Sequence, residues 1–275
     1  MNKGEDDDLW VPLRPFLGAN VRDRHDVRRE AQIVEHVTRH REHGGRPGRR
    51  ARGLELADIV TAAVTVADAE GTDAISMRRI ARELTVGTMS LYWYVESKDE
   101  LLQLMLEKVQ AEAEAPEPSG EWRADLRGYA RNVRTALLQH PWAIDFLGVG
   151  PPSGPNDASN AERLIAALDG IGLDPRTTMQ VLMTVGTYVM GAALREIQEI
   201  RWQRAAAEAT ASMTEAEIVE FEAEFSRRLH DSGRYPHIAK ILDAGIDPDA
   251  PETRNERFEF GLNCVLDGIA ARLRC

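Results

Sequence analysis

Residues 75–98 read ISMRRIARELTVGTMSLYWYVESK, and the organisation of the chain turns on them. Ile80 and Leu84 stand four apart, as do Leu91 and Val95, which places each pair on one face of a helix. Ser76 suits a helix N-cap, and Thr85-Val86-Gly87 between the two periodic pieces predicts a tight turn. Two short helices are expected. The second carries Tyr92, Trp93 and Tyr94 in succession. At about 100° per residue, three neighbours fan over roughly 200° of the helix, so they cannot all share the core side with Leu91. Tyr94 is expected half-buried against the first helix. The other rings need a partner outside the core.

Upstream, residues 54–70 predict a helix, with Leu56, Ile59, Val60, Ala63, Val64 and Ala67 at three- and four-residue spacing and Gly71 as the stop. Before it lies GGRPGRRARG (44–53), whose glycines and proline break any helix. Residues 39–53 hold six arginines against Glu42 alone, although the chain of 275 residues carries a net charge of −11. Residues 99–275 hold 18 basic and 29 acidic residues. A basic stretch joined to an acidic body is compatible with nucleic acid, because phosphate contacts are local. Arg46 and Arg49 are the arm residues expected to follow a phosphate backbone or enter a narrow minor groove; a basic linker is the blander reading. Residues 1–45 are read as an N-terminal extension, partly helical or disordered. It holds His25, His36, His40 and His43. His36 and His40 have a spacing that can hold a metal, but no third ligand or thiolate accompanies them, so a solvated helix face is expected and metal binding is not.

Downstream, Ser97 with Glu100 is a capping-box pattern that opens a helix to Ala113, and APEPSG (115–120) marks a boundary. The remainder is helical by period. Helices are expected over 122–139, 142–147, 159–171 (Ser159 with Glu162 as a capping box), 174–209, 214–230, 236–244 and 252–274, with 148–157 as a loop. The fold class is therefore all-α: a three-helix helix-turn-helix domain with a connecting helix over 46–114, then a helical body over 120–275. No run approaches the roughly 18 apolar residues of a membrane span, and the start MNKGEDDDLW is unlike a secretory signal. Two cysteines, Cys264 and Cys275, imply no disulfide framework. A cytoplasmic setting fits.

The pattern SMRRIAREL, a valine in the turn, TMSLYWYV and SKDEL resembles the TetR family of bacterial transcriptional repressors. A weaker resemblance to the tetracycline-repressor type of C-terminal domain rests on His140-Pro141-Trp142, Gly191 with Arg195-Glu196, Phe258-Glu259-Phe260-Gly261-Leu262 and Leu266-Asp267-Gly268-Ile269. The resemblance implies that Thr88, Met89, Ser90, Tyr92, Trp93 and Tyr94 enter the major groove of double-stranded DNA. Met77 and Arg78 on the preceding helix are added to that set. Arg78 is the candidate for a bidentate guanine contact, worth about 1–3 kcal/mol of discrimination, and Lys98 for a phosphate at the edge of the footprint. The family commonly has Gly where this chain has Thr85. If that position takes positive φ, a β-branched residue there costs on the order of 1 kcal/mol or more; Gly87 is the other place for the bend.

The resemblance also implies a homodimer and a small-molecule effector. Leu182, Val185 and Val189 on one long apolar helix, with Phe258, Leu262, Val265 and Ile269 on another, are the expected dimer surface; an intrachain core is the competing reading. Trp142, Phe146, Met179, Met183, Thr187, Tyr188 and Trp202 are the expected pocket residues, chosen for a flexible, sulfur-rich and aromatic lining. No cofactor is implied. No HExxH, GxSxG or phosphate-loop pattern is present, so an enzyme is not expected. The alternative is a sequence-tolerant architectural DNA-binding protein that relies on the arginine arm.

Overall fold

A computed structural model describes residues 53–147 and 154–273. Arg46, Arg49, the four N-terminal histidines and the N-terminal extension lie outside the described residues. Among those described there are ten α-helices, three short 3-10 turns and no strand. They form two compact units, residues 53–195 with 258–273, and residues 196–257.

In the larger unit the first three helices are α1 (Leu56–Glu70), α2 (Met77–Glu83) and α3 (Thr88–Leu91). The connecting helix α4 (Lys98–Glu112) packs back on α1. Ile59, Ala63, Ile80, Leu91, Val95, Leu101 and Met105 are all fully buried and make the centre of this bundle. All but Val95, which lies on the closing turn after α3, sit on the three- or four-residue repeat of their own helix. Ser76 caps α2 by accepting from the Arg79 amide, and Ser97 caps α4 by accepting from the Glu100 amide. The Glu100 carboxylate accepts from the Glu96 amide at 2.6 Å, one residue before the expected reciprocal partner. A capping box absent from the sequence reading starts α1, where Glu55 and Asp58 bond each other's amides.

The body of this unit is built from α5 (Trp122–Gln139), α6 (Pro155–Ala167), the first part of α7 (Pro175–Ala209) and the second part of α10 (Arg254–Leu273). Leu126, Ala130, Leu164, Leu168, Val185, Val189, Phe258, Leu262 and Leu266 close its core. Helix α6 begins at Pro155 rather than at the expected Ser159, so the Ser159–Glu162 pair lies inside the helix. A carboxylate from elsewhere does the capping: Glu107 of α4 accepts from the Asn156 amide at 3.2 Å, and the Asn156 side chain returns a bond to the Glu107 carbonyl at 3.0 Å. Sequence spacing registers only local caps, and this one comes from 49 residues away.

The smaller unit holds the end of α7, α8 (Glu215–Asp231), α9 (Pro236–Asp243) and the start of α10. Thr214 and Glu217 form a capping box on α8. Glu199, only 8% exposed, is neutralised by Arg257 at 2.8 Å and by Arg254 at 3.7 Å. A buried carboxylate of this kind is tolerated only with such partners.

Candidate nucleic-acid interface

The turn between α2 and α3 closes in two hydrogen bonds, from the Thr85 amide to the Arg82 carbonyl and from the Val86 amide to the Ala81 carbonyl. This is the Schellman arrangement, which calls for a left-handed residue just past the helix end. Thr85 is that residue, at φ 56°, the one non-glycine with positive φ among the described residues. Gly87 sits at φ −72° and takes none of the bend. The chain keeps the glycine-type turn with a threonine in it, and α3 follows directly.

That helix is one turn long. Thr88–Leu91 is regular, and the Val95 amide still reaches the Leu91 carbonyl at 3.0 Å, so Tyr92, Trp93 and Tyr94 ride on a closing turn rather than on a continued helix. Leu91 and Val95 are fully buried and fix the turn to the bundle. The side chains between them divide as the fan requires. Met89 is 74% exposed, Trp93 56% and Tyr92 45%. Tyr94 is half-buried, and its hydroxyl donates to the Leu54 carbonyl at 2.7 Å, tying the reading turn to the start of α1. Thr88 and Ser90 are partly exposed at the helix start. Large apolar side chains held out in water beside a rigid anchor form a surface shaped for a partner.

Two arginines on α2 show how charge is apportioned. Arg79 donates to Glu70 at 2.6 Å and to Glu83 at 2.6 Å, and those hydrogen bonds hold its guanidinium firmly charged. Neighbouring Arg78 is exposed and makes no ion pair among the described residues. Arg79 organises the helix, and Arg78 is held by none of these carboxylates. Lys98, exposed at the start of α4, donates to the Thr72 carbonyl at 3.2 Å and so stands beside the α1–α2 connection. Met77 is a correction: at 6% exposure it belongs to the bundle core and cannot reach DNA. It stands three residues before Ile80 on α2, so the helical period puts it on the buried face with Ile80 and Ala81.

With this geometry in view, comparison with known proteins is decisive. Residues 59–105 match the model of the bacterial regulatory proteins of the tetR family, and residues 115–273 match the tetracyclin repressor-like C-terminal domain. The chain belongs to the TetR family. It is 37% identical over 230 residues to the HTH-type transcriptional repressor DrrR1 of Streptomyces coeruleorubidus, covering 82% of this chain and 81% of that one. It is 29% identical over 223 residues to the class E tetracycline repressor protein of Escherichia coli, covering 80% and 92%. Among solved structures it is similar to ActR of Streptomyces coelicolor in complex with actinorhodin, at 29% identity and a TM-score of 0.58, covering 80% of this chain and 97% of that one. This TetR-family chain is thus a DNA-binding transcriptional repressor of a family that dimerises and binds small-molecule effectors. No helix among its described residues is long and apolar enough to cross a membrane.

The body departs from expectation in two places. Val185, Val189, Phe258, Leu262 and Ile269 are buried within one chain, while Leu182 and Val265 are partly buried and packed on the same cluster. The five buried residues are core of the single chain, and Leu182 and Val265 keep part of their surface exposed. The apolar stripe of a long helix is claimed first by its own chain, and periodicity cannot show which stripe that is. The exposed sides of the same helices carry Met179, Met183 and Leu194 on α7 and Phe260 on α10. The expected pocket residues of the larger unit are dispersed as well. Trp142 is 4% exposed and packs in the core with α1, Phe146, Met179 and Met183 are exposed, and the Tyr188 hydroxyl donates to the Phe258 carbonyl at 2.6 Å. Thr187 is exposed on α7, and Trp202 belongs to the smaller unit.

Proposed function

We propose that the repressor reads its operator with Arg78, Thr88, Met89, Ser90, Tyr92 and Trp93, with Lys98 on a flanking phosphate and Arg46 and Arg49 as a preceding basic arm. Tyr94 positions this face through its bond to Leu54. The observation that carries the reading is the exposure of Met89, Tyr92 and Trp93 on a turn locked by Leu91 and Val95. Trp93 and Met89 suit a thymine methyl, Tyr92 a phosphate, and Arg78 a guanine edge. We further propose a division into an N-terminal extension to residue 45, a DNA-binding domain over 46–114 and a regulatory body over 120–275, working in the cytoplasm.

A single helix-turn-helix reads few bases, so two copies hold a palindromic operator with half-sites one turn, roughly 34–36 Å, apart. The dimer face assigned here is the outward side of α7 and α10, around Met179, Met183 and Phe260. Gly186, Gly191 and Gly268 support it: a Cβ built on each meets nothing within 4 Å in the single chain, leaving room for close helix approach. A small organic effector in the body moves α4 and spoils the half-site spacing; ActR, a similar protein, has been solved in complex with such a molecule, actinorhodin. A coupling of about 1–3 kcal/mol gives a 5–150-fold loss of operator affinity.

The test is selection of an operator from random duplexes, then titration of the selected and random DNA against salt. A specific repressor binds the selected operator at least ~10³-fold more tightly than random DNA. Arg78→Ala and Trp93→Ala each remove about 1–3 kcal/mol from the selected operator alone. Equal affinity and equal salt slope on both duplexes would instead establish the architectural reading.

A further inference from the structure

His140 closes the C-terminus of α5 and is 8% exposed, and none of the recognition chemistry above uses it. Its Nδ1 lies 2.9 Å from Asp68 Oδ1, and its Nε2 lies 2.7 Å from Glu112 Oε2. Asp68 is on α1, Glu112 is the last residue of α4, and His140 is on the body. One side chain therefore joins both long helices of the DNA-binding bundle to the first helix of the regulatory part. Trp142 adds a second bond to the same oxygen of Asp68, its indole N–H donating at 2.8 Å. Lys108 holds the other oxygen of Glu112 at 3.2 Å.

The chemistry of this joint is stricter than that of an apolar contact. With a carboxylate oxygen at each ring nitrogen the imidazole is held at both ends, so its bonds fix a direction as well as a distance. Burial pushes the Glu112 carboxyl up, and the bonds from His140 and Lys108 outweigh it, so Glu112 sits below the ordinary carboxylate value.

The surrounding core does not do the same work. Ala136, Leu137, Trp142 and Ala143 continue the apolar cluster of the DNA-binding bundle into the body. Apolar packing of this kind is non-directional and tolerates small shifts in angle. The polar links from α6, in which Asn160 accepts from the Ala115 amide at 2.8 Å and donates to the Gln110 carbonyl at 3.1 Å and Asn156 pairs with Glu107, hold α4 and do not touch α1.

We propose that His140, through Asp68 and Glu112, is a positioning residue for operator recognition: it sets the angle of the DNA-binding bundle on the body and hence the half-site spacing the dimer accepts. The proposal rests on the two-half-site reading above and assigns no contact with DNA to any of the three residues. One added base pair moves a half-site by roughly a tenth of a turn, about 34–36°. A rigid joint rejects that displacement, and a loosened one follows it.

The experiment uses the full-length dimer and the operator obtained by selection, together with duplexes whose two halves are one base pair closer or farther. The wild type is expected to lose about tenfold or more on either altered duplex. In His140→Ala that penalty falls to about two- to threefold, and affinity for the native spacing drops by about tenfold, within the range of ordinary inter-site couplings. Asp68→Asn and Glu112→Gln, which keep shape and remove one charge each, give intermediate penalties. They answer the question should His140→Ala not fold, with dimerisation checked by sedimentation and helicity by circular dichroism. A folded, dimeric variant that keeps the full wild-type spacing penalty overturns the proposal and leaves the repressor reading intact. Failure of the wild type to select any operator overturns both.

Discussion

Around the reading turn, Met89, Tyr92 and Trp93 are exposed within five residues of one another, whereas on the body Met179, Met183, Leu194 and Phe260 are spread along α7 and α10. Both groups are anchored from behind, the first by Leu91 and Val95, the second by Val181, Val185, Val189 and Leu262. Their outlines differ. A single projecting turn presents a narrow, convex patch of the size a DNA groove admits. Two helices offering apolar side chains and side-chain-free glycines over several turns present a long face that only similar helices cover well. Exposed apolar surface is costly in either place, and its shape is what separates a nucleic-acid surface from a self-association surface.

The strongest way to break this comparison is to charge the body's face. Met183→Glu combined with Phe260→Glu, at 67% and 72% exposure, is expected to yield a folded monomer by sedimentation. Operator affinity then falls by about 100-fold or more, because one half-site is engaged without its partner. Persistence of the dimer would mean that the long face covers something else. The next effect is on stability. In that monomeric background, Leu262→Ala should lower the unfolding free energy by about 2–5 kcal/mol in denaturant titration, since Leu262 is fully buried. An effect below 0.5 kcal/mol would return α10 to the interface that periodicity suggested for it.

The two regions were not equally legible. In the DNA-binding bundle each helix is short, so its apolar pairs have one core to face, and the four-residue spacings of Ile80–Leu84 and Leu91–Val95 named it. The aromatic fan then exposed Tyr92 and Trp93 by geometry alone, and Tyr94 took the half-buried place expected of it. Met77 was misjudged although its spacing of three from Ile80 already placed it on the core face. In the body, helices of up to 35 residues have more than one apolar side. Val185 and Met183 are equally apolar on paper; only packing shows that the first is inside and the second outside. The His140 joint was out of reach for a different reason: Asp68, Glu112 and His140 are brought together from three helices, and HPW reads simply as a helix ending.

The smallest expected effect concerns the reading turn itself. Thr85 at φ 56° places a β-branched side chain in the left-handed region, where non-glycine residues are disfavoured by about 1–2 kcal/mol. Glycine removes that strain, but it also gives the unfolded chain more freedom, which offsets roughly 0.4–1 kcal/mol. Thr85→Gly should therefore stabilise the repressor by up to about 1 kcal/mol, which is a rise in melting temperature of about 2–4 °C for a domain of this size. Operator affinity should hardly change, because the two Schellman bonds and the buried Leu91 already fix the pose of α3. Thr85→Ala separates the contributions: it keeps the Cβ and removes the branch, so it should recover less than glycine does. A drop in melting temperature for Thr85→Gly would show that the threonine side chain stabilises the turn by more than its backbone strain costs. A gain in operator affinity would show that strain at the turn is transmitted to the reading residues, and the exposed patch would then be less rigid than its buried anchors imply.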